Sequence, residues 1–186
     1  ARTRGGGDGD GGEKNAASKD KNTAGNLPRE AFIARLASIA WVPVKTTPPE
    51  DEPGLPWPSR APPTAPPSFA RPASDAWLCS ATKRLLTEDT SSAVLSDIFG
   101  WRAPVSASTL AAQLVALGEA HPTVRDPAVG RALASAVPRV YALLTASVGS
   151  AEVEAAAATA RDAAAVWVGV GFARADAVAS SGALDL

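Results

Sequence analysis

The sequence contains no methionine, one cysteine and one histidine. The missing methionine, a Gly-rich opening and a stop just after a hydrophobic stretch lead us to expect an internal piece of a longer protein. A single cysteine excludes an internal disulfide, and with a single histidine it also excludes the usual zinc ligand sets. A cytoplasmic, reducing setting fits that cysteine usage. An excess of charge of either sign is also absent: 18 Lys and Arg face 19 Asp and Glu, a net charge of −1. That balance leaves no basic footprint for nucleic acid or anionic lipid. The longest apolar run, residues 163–171, falls far below the roughly 20 residues a membrane helix needs. The first twelve residues lack the apolar core of a secretory signal. Neither nucleic acid nor membrane is expected as a partner, and no cofactor is expected.

Glycine and proline are plentiful, and they divide the chain. Residues 1–26 are mostly Gly, Asp, Lys and Asn with no large apolar side chain, a composition that predicts disorder. Residues 27–44 read as a helix and a short strand belonging to the core. Pro28 suits a first helical position, and Phe32, Ile33, Leu36 and Ile39 share one face. Residues 41–44 then form a strand whose Pro43 argues for an edge. Residues 45–74 hold ten prolines and read as an extended linker. Its Pro-Pro-Thr-Ala-Pro-Pro stretch invites comparison with a polyproline ligand, but no flanking arginine is identified as orienting it.

Residues 75–186 read as a mainly helical module that ends in a strand and is incomplete at its C-terminus. Trp77, Leu78 and Cys79 suggest a short strand. Ser91 or Ser92 caps a helix through Val94, Leu95 and Ile98, closed by Gly100. Ser106 caps a second helix with Leu110, Leu114 and Leu117 on its face. Asp126-Pro127 opens a third, striped by Val129, Leu133, Val137, Val140 and Leu144, with Gly149 placed to close it. Pro138 inside that stripe predicts a kink or break. Ser150, Glu152 and Glu154 start an alanine-faced helix. Residues 166–172 read as one strand, with Val166, Val168, Val170 and Phe172 on one side, needing a partner strand from elsewhere. The fold class expected is helix-dominated α+β, with several short helices, two or three short strands, and disordered Gly-rich and Pro-rich segments.

Catalytic and ligand-binding patterns are weak. His121 precedes Pro122 and reads as a turn residue. Cys79 follows apolar residues and reads as a buried, inert thiol. The segment starting at Gly169 begins like a dinucleotide-binding glycine motif, but Arg174 stands where the third glycine belongs. The acidic pairs Glu88–Asp89 and Glu152/Glu154 read as solvated surface and helix starts. The chain is therefore expected not to be an enzyme. The five tryptophans read chiefly as core anchors. Trp57, set among prolines, and Trp167, in the terminal strand, are the two candidate partner contacts.

The ordered segments LPREAFIARLASIAWVPV, GLPWP, DAWLCSATKRLL, SSAVLSDIFGW, LAAQLVALG, PRVYALL and VWVGVGF, with ADAV following, carry a pattern of order and spacing across residues 27–186. In succession they resemble the sacsin-type giant proteins, especially plant and green-algal relatives. The resemblance implies a region downstream of an Hsp90-like ATP-binding domain, whose own nucleotide motifs are not found here. It further implies a chaperone, co-chaperone or scaffold role in protein folding and quality control. The partners implied are other repeats of the parent chain, Hsp70-type chaperones and client proteins. The competing expectation is an interaction module, unrelated to chaperoning, whose Pro-rich arm binds a partner.

Overall fold

A computed structural model describes residues 28–88, 92–146 and 151–182. The expected disorder of residues 1–26, and the roles given to Gly149 and Ser150, lie outside the described residues. The chain is a helix-dominated α+β protein: α1 Arg29–Ser38, β1 Val42–Pro43, β2 Thr64–Ala65, β3 Ala70–Arg71, α2 Ala76–Cys79, β4 Arg84–Leu85, α3 Ala93–Ile98, α4 Ala107–Ala120, α5 Pro127–Ala146, α6 Ala151–Arg161, β5 Val166–Trp167, β6 Phe172–Ala173 and α7 Ala175–Gly182.

The main core forms where α4 and α5 press their apolar stripes together. Leu110, Leu114 and Leu117 of α4 meet Leu133, Val137 and Val140 of α5, with Leu78 and Phe172 closing the cluster. The caps that the sequence signals are present: the Ser106 hydroxyl accepts from the Thr109 amide at 3.3 Å, and Asp126 accepts from the Ala128 amide at 2.7 Å. Of the kink or break expected at Pro138, the break does not occur: α5 runs from Pro127 to Ala146 as one helix. Pro138 sits on the exposed face, as does Ala134 one turn back, whose carbonyl loses its helical partner. Water can satisfy that group, so the helix continues. The alanine face of α6 does approach closely: Ala156 joins Ala107 and Ala111 in a small cluster.

The Pro-rich stretch is not an extended linker. β2 pairs antiparallel with β1, β3 pairs parallel with β4, and a bridge between Val44 and Leu86 joins the two pairs. Leu55, Ala65, Pro67 and Ala70 are buried. The physical reason lies in hydrogen bonding. Each proline keeps a carbonyl acceptor but brings no N–H, so such a segment can fold only where donors come from elsewhere. Backbone amides serve the carbonyls of Pro43, Pro49, Pro63, Pro66 and Pro72, and side chains add further bonds that tie the stretch down. The Trp101 indole donates to the Pro67 carbonyl at 3.0 Å and the Trp57 indole to the Thr46 carbonyl at 3.4 Å. Arg71 binds the carbonyls of Gly100 and Ala103, at 3.0 and 2.8 Å, while its Nη2 pairs with Asp75 at 2.7 Å.

Three further expectations change. Residues 76–79 form a turn of helix rather than a strand, since a short apolar run does not separate the two. Residues 166–172 are not one strand but a hairpin, β5 pairing with β6. Gly169 takes φ of +91°, the conformation a tight hairpin turn demands of its first central residue, and Val168 and Val170 point outward at the tip. The strand finds its partner within itself. Finally, β1 belongs to the core through Val42, but α1 does not: none of its residues is buried.

Candidate interaction surface

α1 lies across the outside of the Pro-rich layer, held by polar contacts. Ser68 donates its hydroxyl to the Ala37 carbonyl at 2.8 Å, and the Trp41 indole donates to the Leu36 carbonyl at 3.0 Å. The apolar face read from the sequence therefore stays open, with Phe32 55% and Ile39 49% exposed. From α1 the apolar surface continues through Trp41, whose ring meets Phe99 at 6.1 Å between centroids, and Phe99 in turn meets the buried Trp101 at 5.5 Å. On the other flank Phe69, 46% exposed, carries the Lys83 ammonium over its ring at 5.1 Å. Contiguous exposed apolar surface of this kind marks contact sites in soluble proteins.

Between Phe99 and Lys83 a groove of about 200 Å³ runs to the start of α4, walled by Ser68, Arg71, Ser106 and Thr109. Its two cations differ. Arg71 is spent on Asp75 and two carbonyls. Lys83 donates to the Ser68 carbonyl at 3.3 Å, and among the described residues it has no carboxylate partner.

The two tryptophans singled out as contacts are placed apart, and neither lies in this surface. Trp57 is half-buried against Leu55, Ala76, Cys79 and Leu85. Trp167 is half-buried beside the α4–α5 core, its ring 5.2 Å from Phe172. The Trp167 amide donates to the Tyr141 hydroxyl at 2.9 Å, which itself donates to the Ala165 carbonyl at 2.8 Å. Burial pushes the Tyr141 phenol upward, and the bond from Trp167 opposes that shift.

His121 ends α4 as a turn residue, yet its Nε2 also lies 2.6 Å from the Gly54 carbonyl, tying the helices to the Pro-rich layer. Cys79 is fully buried and its thiol donates to the Asp75 carbonyl at 3.2 Å. Burial pushes this thiol up to about 12, the Asp75 charge adds to that, and Arg71 and Lys83 oppose it. The nucleophilic thiolate is thus suppressed. Among the described residues, no group of three or more His, Cys, Asp or Glu could hold a metal ion, and no helix is long and apolar enough to cross a membrane. A separate cavity of about 350 Å³ is lined by residues 44–50 and Thr87.

Sequence reasoning missed two things here. The openness of the α1 face has no sequence signal, because an apolar stripe predicts burial whether or not a partner helix is present. Arg60 was readable: it stands three residues before Pro63 and six before Pro66, the spacing of an arginine-led polyproline ligand. Its first half is exposed, but Ala65 is 2% exposed and paired with Val42, so the second half is built into the sheet. No protein-family model, no curated protein and no solved structure matches the chain.

Proposed function

We propose that this chain is a non-catalytic contact segment of a sacsin-like chaperone, co-chaperone or scaffold serving protein folding and quality control in the cytoplasm. The observation that carries the contact reading is the open apolar surface of Phe32, Ile39, Trp41 and Phe69 on a molecule whose α4 and α5 stripes are packed together. In this reading the surface meets other repeats of the parent chain, an Hsp70-type chaperone or an unfolding client. The sacsin-like identity rests on the ordered segments of the sequence. A Pro-rich arm acting as a free ligand is less well supported, because Ala65 and Pro67 would have to leave the core first.

The test is suppression of aggregation. The chain, in molar excess over a reduced and unfolding test protein, should delay light scattering, and Mg-ATP should not change the delay. The double variant Phe32→Ser with Phe69→Ser removes two exposed rings, so it should keep its thermal transition and lose most of the delay. Absence of any delay with the unmodified chain would sink the proposal.

A further inference from the structure

We infer that the groove between Phe99 and Lys83 takes an acidic amphipathic segment of another protein, with its carboxylate on Lys83 and its apolar side chain against Phe99 and Phe69. The inference rests on reading the surrounding surface as a contact site, and it adds the chemistry of the occupant. Volume comes first: about 200 Å³ admits one or two side chains, not a cofactor. The groove borders the exposed surface on both flanks, through Ser68 and Phe69 on one side and Phe99 and Trp41 on the other. An inserted side chain would therefore continue a larger apolar contact.

Charge selects the occupant. An ammonium offers three donors, and Lys83 directs one to the Ser68 carbonyl, leaving two without a partner among the described residues. Its position over Phe69 fixes the charge at the groove instead of letting it wander in solvent. On α1, Arg29 falls on the same helical stripe as Phe32, Ile33 and Leu36, and Arg35 is exposed nearby, against one acid, Glu30. The surface is thus cationic on a chain whose net charge is −1. Residues 1–26 contain no large apolar side chain with which to cover it. A partner that pairs carboxylates with leucine or phenylalanine on one face complements both features.

Three synthetic amphipathic peptides provide the test: one carrying Leu, Phe and Glu, one with Gln in place of Glu, and one with Lys in place of Glu. Binding to the whole chain is followed by anisotropy of labelled peptide and by amide shifts at residues 69, 83 and 99. The Glu peptide should bind about tenfold more tightly than the Gln peptide, a gap of roughly 1.4 kcal/mol. Raising salt should shrink that gap. Lys83→Glu should abolish the preference and turn it toward the Lys peptide. Lys83→Gln should remove the preference without reversing it, and both variants should melt like the unmodified chain. Equal binding of Glu and Gln peptides, lost on Phe32→Ser with Phe69→Ser, would overturn this inference and leave the contact surface standing. If no peptide moves those amides, both fall. If sedimentation shows self-association that Lys83→Glu abolishes, the occupant is a second copy and the acidic-segment inference is overturned.

Discussion

The Pro-rich layer, residues 42–87, and the helical layer, α4 to β6, reach order by different physical means. The helical layer satisfies its backbone through its own i→i−4 bonds and needs tertiary structure mainly to bury apolar stripes, as at Leu117, Leu133 and Val137. The Pro-rich layer has short ladders and too few backbone donors. Beyond those ladders it is fixed by a few side-chain bonds: Trp101 donates in to the Pro67 carbonyl, Arg71 donates out to Gly100, Trp57 closes on Thr46 within the layer, and His121 meets Gly54 at the seam. The first kind of order tolerates substitution by degrees, whereas the second rests on a few anchors.

The largest expected effect falls on an anchor. Trp101 is 4% exposed, packs with Val42, Val44 and Leu86, and holds the Pro67 carbonyl. Trp101→Ala should cost about 3–5 kcal/mol, nearly all of it lost packing, since the Pro67 carbonyl keeps the Ala70 amide as a donor. Urea unfolding followed by circular dichroism should then show the helical layer surviving after the Pro-rich layer has opened. A single transition at a midpoint close to that of the unmodified chain would break the distinction between the layers.

Next comes a site in the helical layer whose failure has a different cause. Gly118 is buried in α4 where the chain passes so close that an added β-carbon would meet the Ala164 carbonyl oxygen. Backbone cannot swing aside as a side chain tip can. Gly118→Ala should therefore cost about 1–3 kcal/mol by overpacking, although alanine favours helix by about 1 kcal/mol over glycine. Thermal melting sharpens the point: an unchanged or raised midpoint would mean that the connection before β5 yields, making the helical layer the softer of the two.

These two layers were not equally legible in the sequence. α4 and α5 could be read almost to their caps, because Ser106 and Asp126-Pro127 are local signals and the apolar stripes have helical period. In the Pro-rich layer, the fact that decides its structure is not local. Arg71 reaches Gly100 and Ala103, and Trp101 reaches Pro67, across about thirty residues of sequence. Proline content then reads as disorder, since composition shows the missing donors but not their replacements. The hairpin was misread for a related reason: alternation at Val166 to Phe172 fits a strand until Gly169 is allowed its positive φ. For the contact surface, the residues of the α1 face were named correctly, but only the fold leaves them open. Trp57, set among prolines, and Trp167, in the terminal strand, are both half-buried against core residues and lie apart from this surface.

Cys79 offers the finest test, because it lies inside the Pro-rich layer, packed with Leu55, Trp57, Ala76 and Leu85. Its thiol stands at about 12 in the folded chain against an ordinary 9.0. The folded state therefore keeps the proton where the unfolded chain has lost it, and this contribution to stability is complete below about pH 9. Above that point it falls by about 1.4 kcal/mol per pH unit until the folded thiol itself ionises. The free energy of unfolding, compared at about pH 8 and about pH 10, should drop for the unmodified chain by about 1.4 kcal/mol, and less for Cys79→Ala. The same thiol also reports which layer opens first. If the Pro-rich layer lifts alone, a thiol reagent should label Cys79 at a rate indifferent to mild urea, while the helical signal stays intact. Trp57→Ala thins that packing without touching α4 or α5, so it should speed labelling by about tenfold and leave the helical melt in place. Labelling that instead tracks loss of helix, step for step with urea, would mean that these side-chain bonds lock both layers into one cooperative unit.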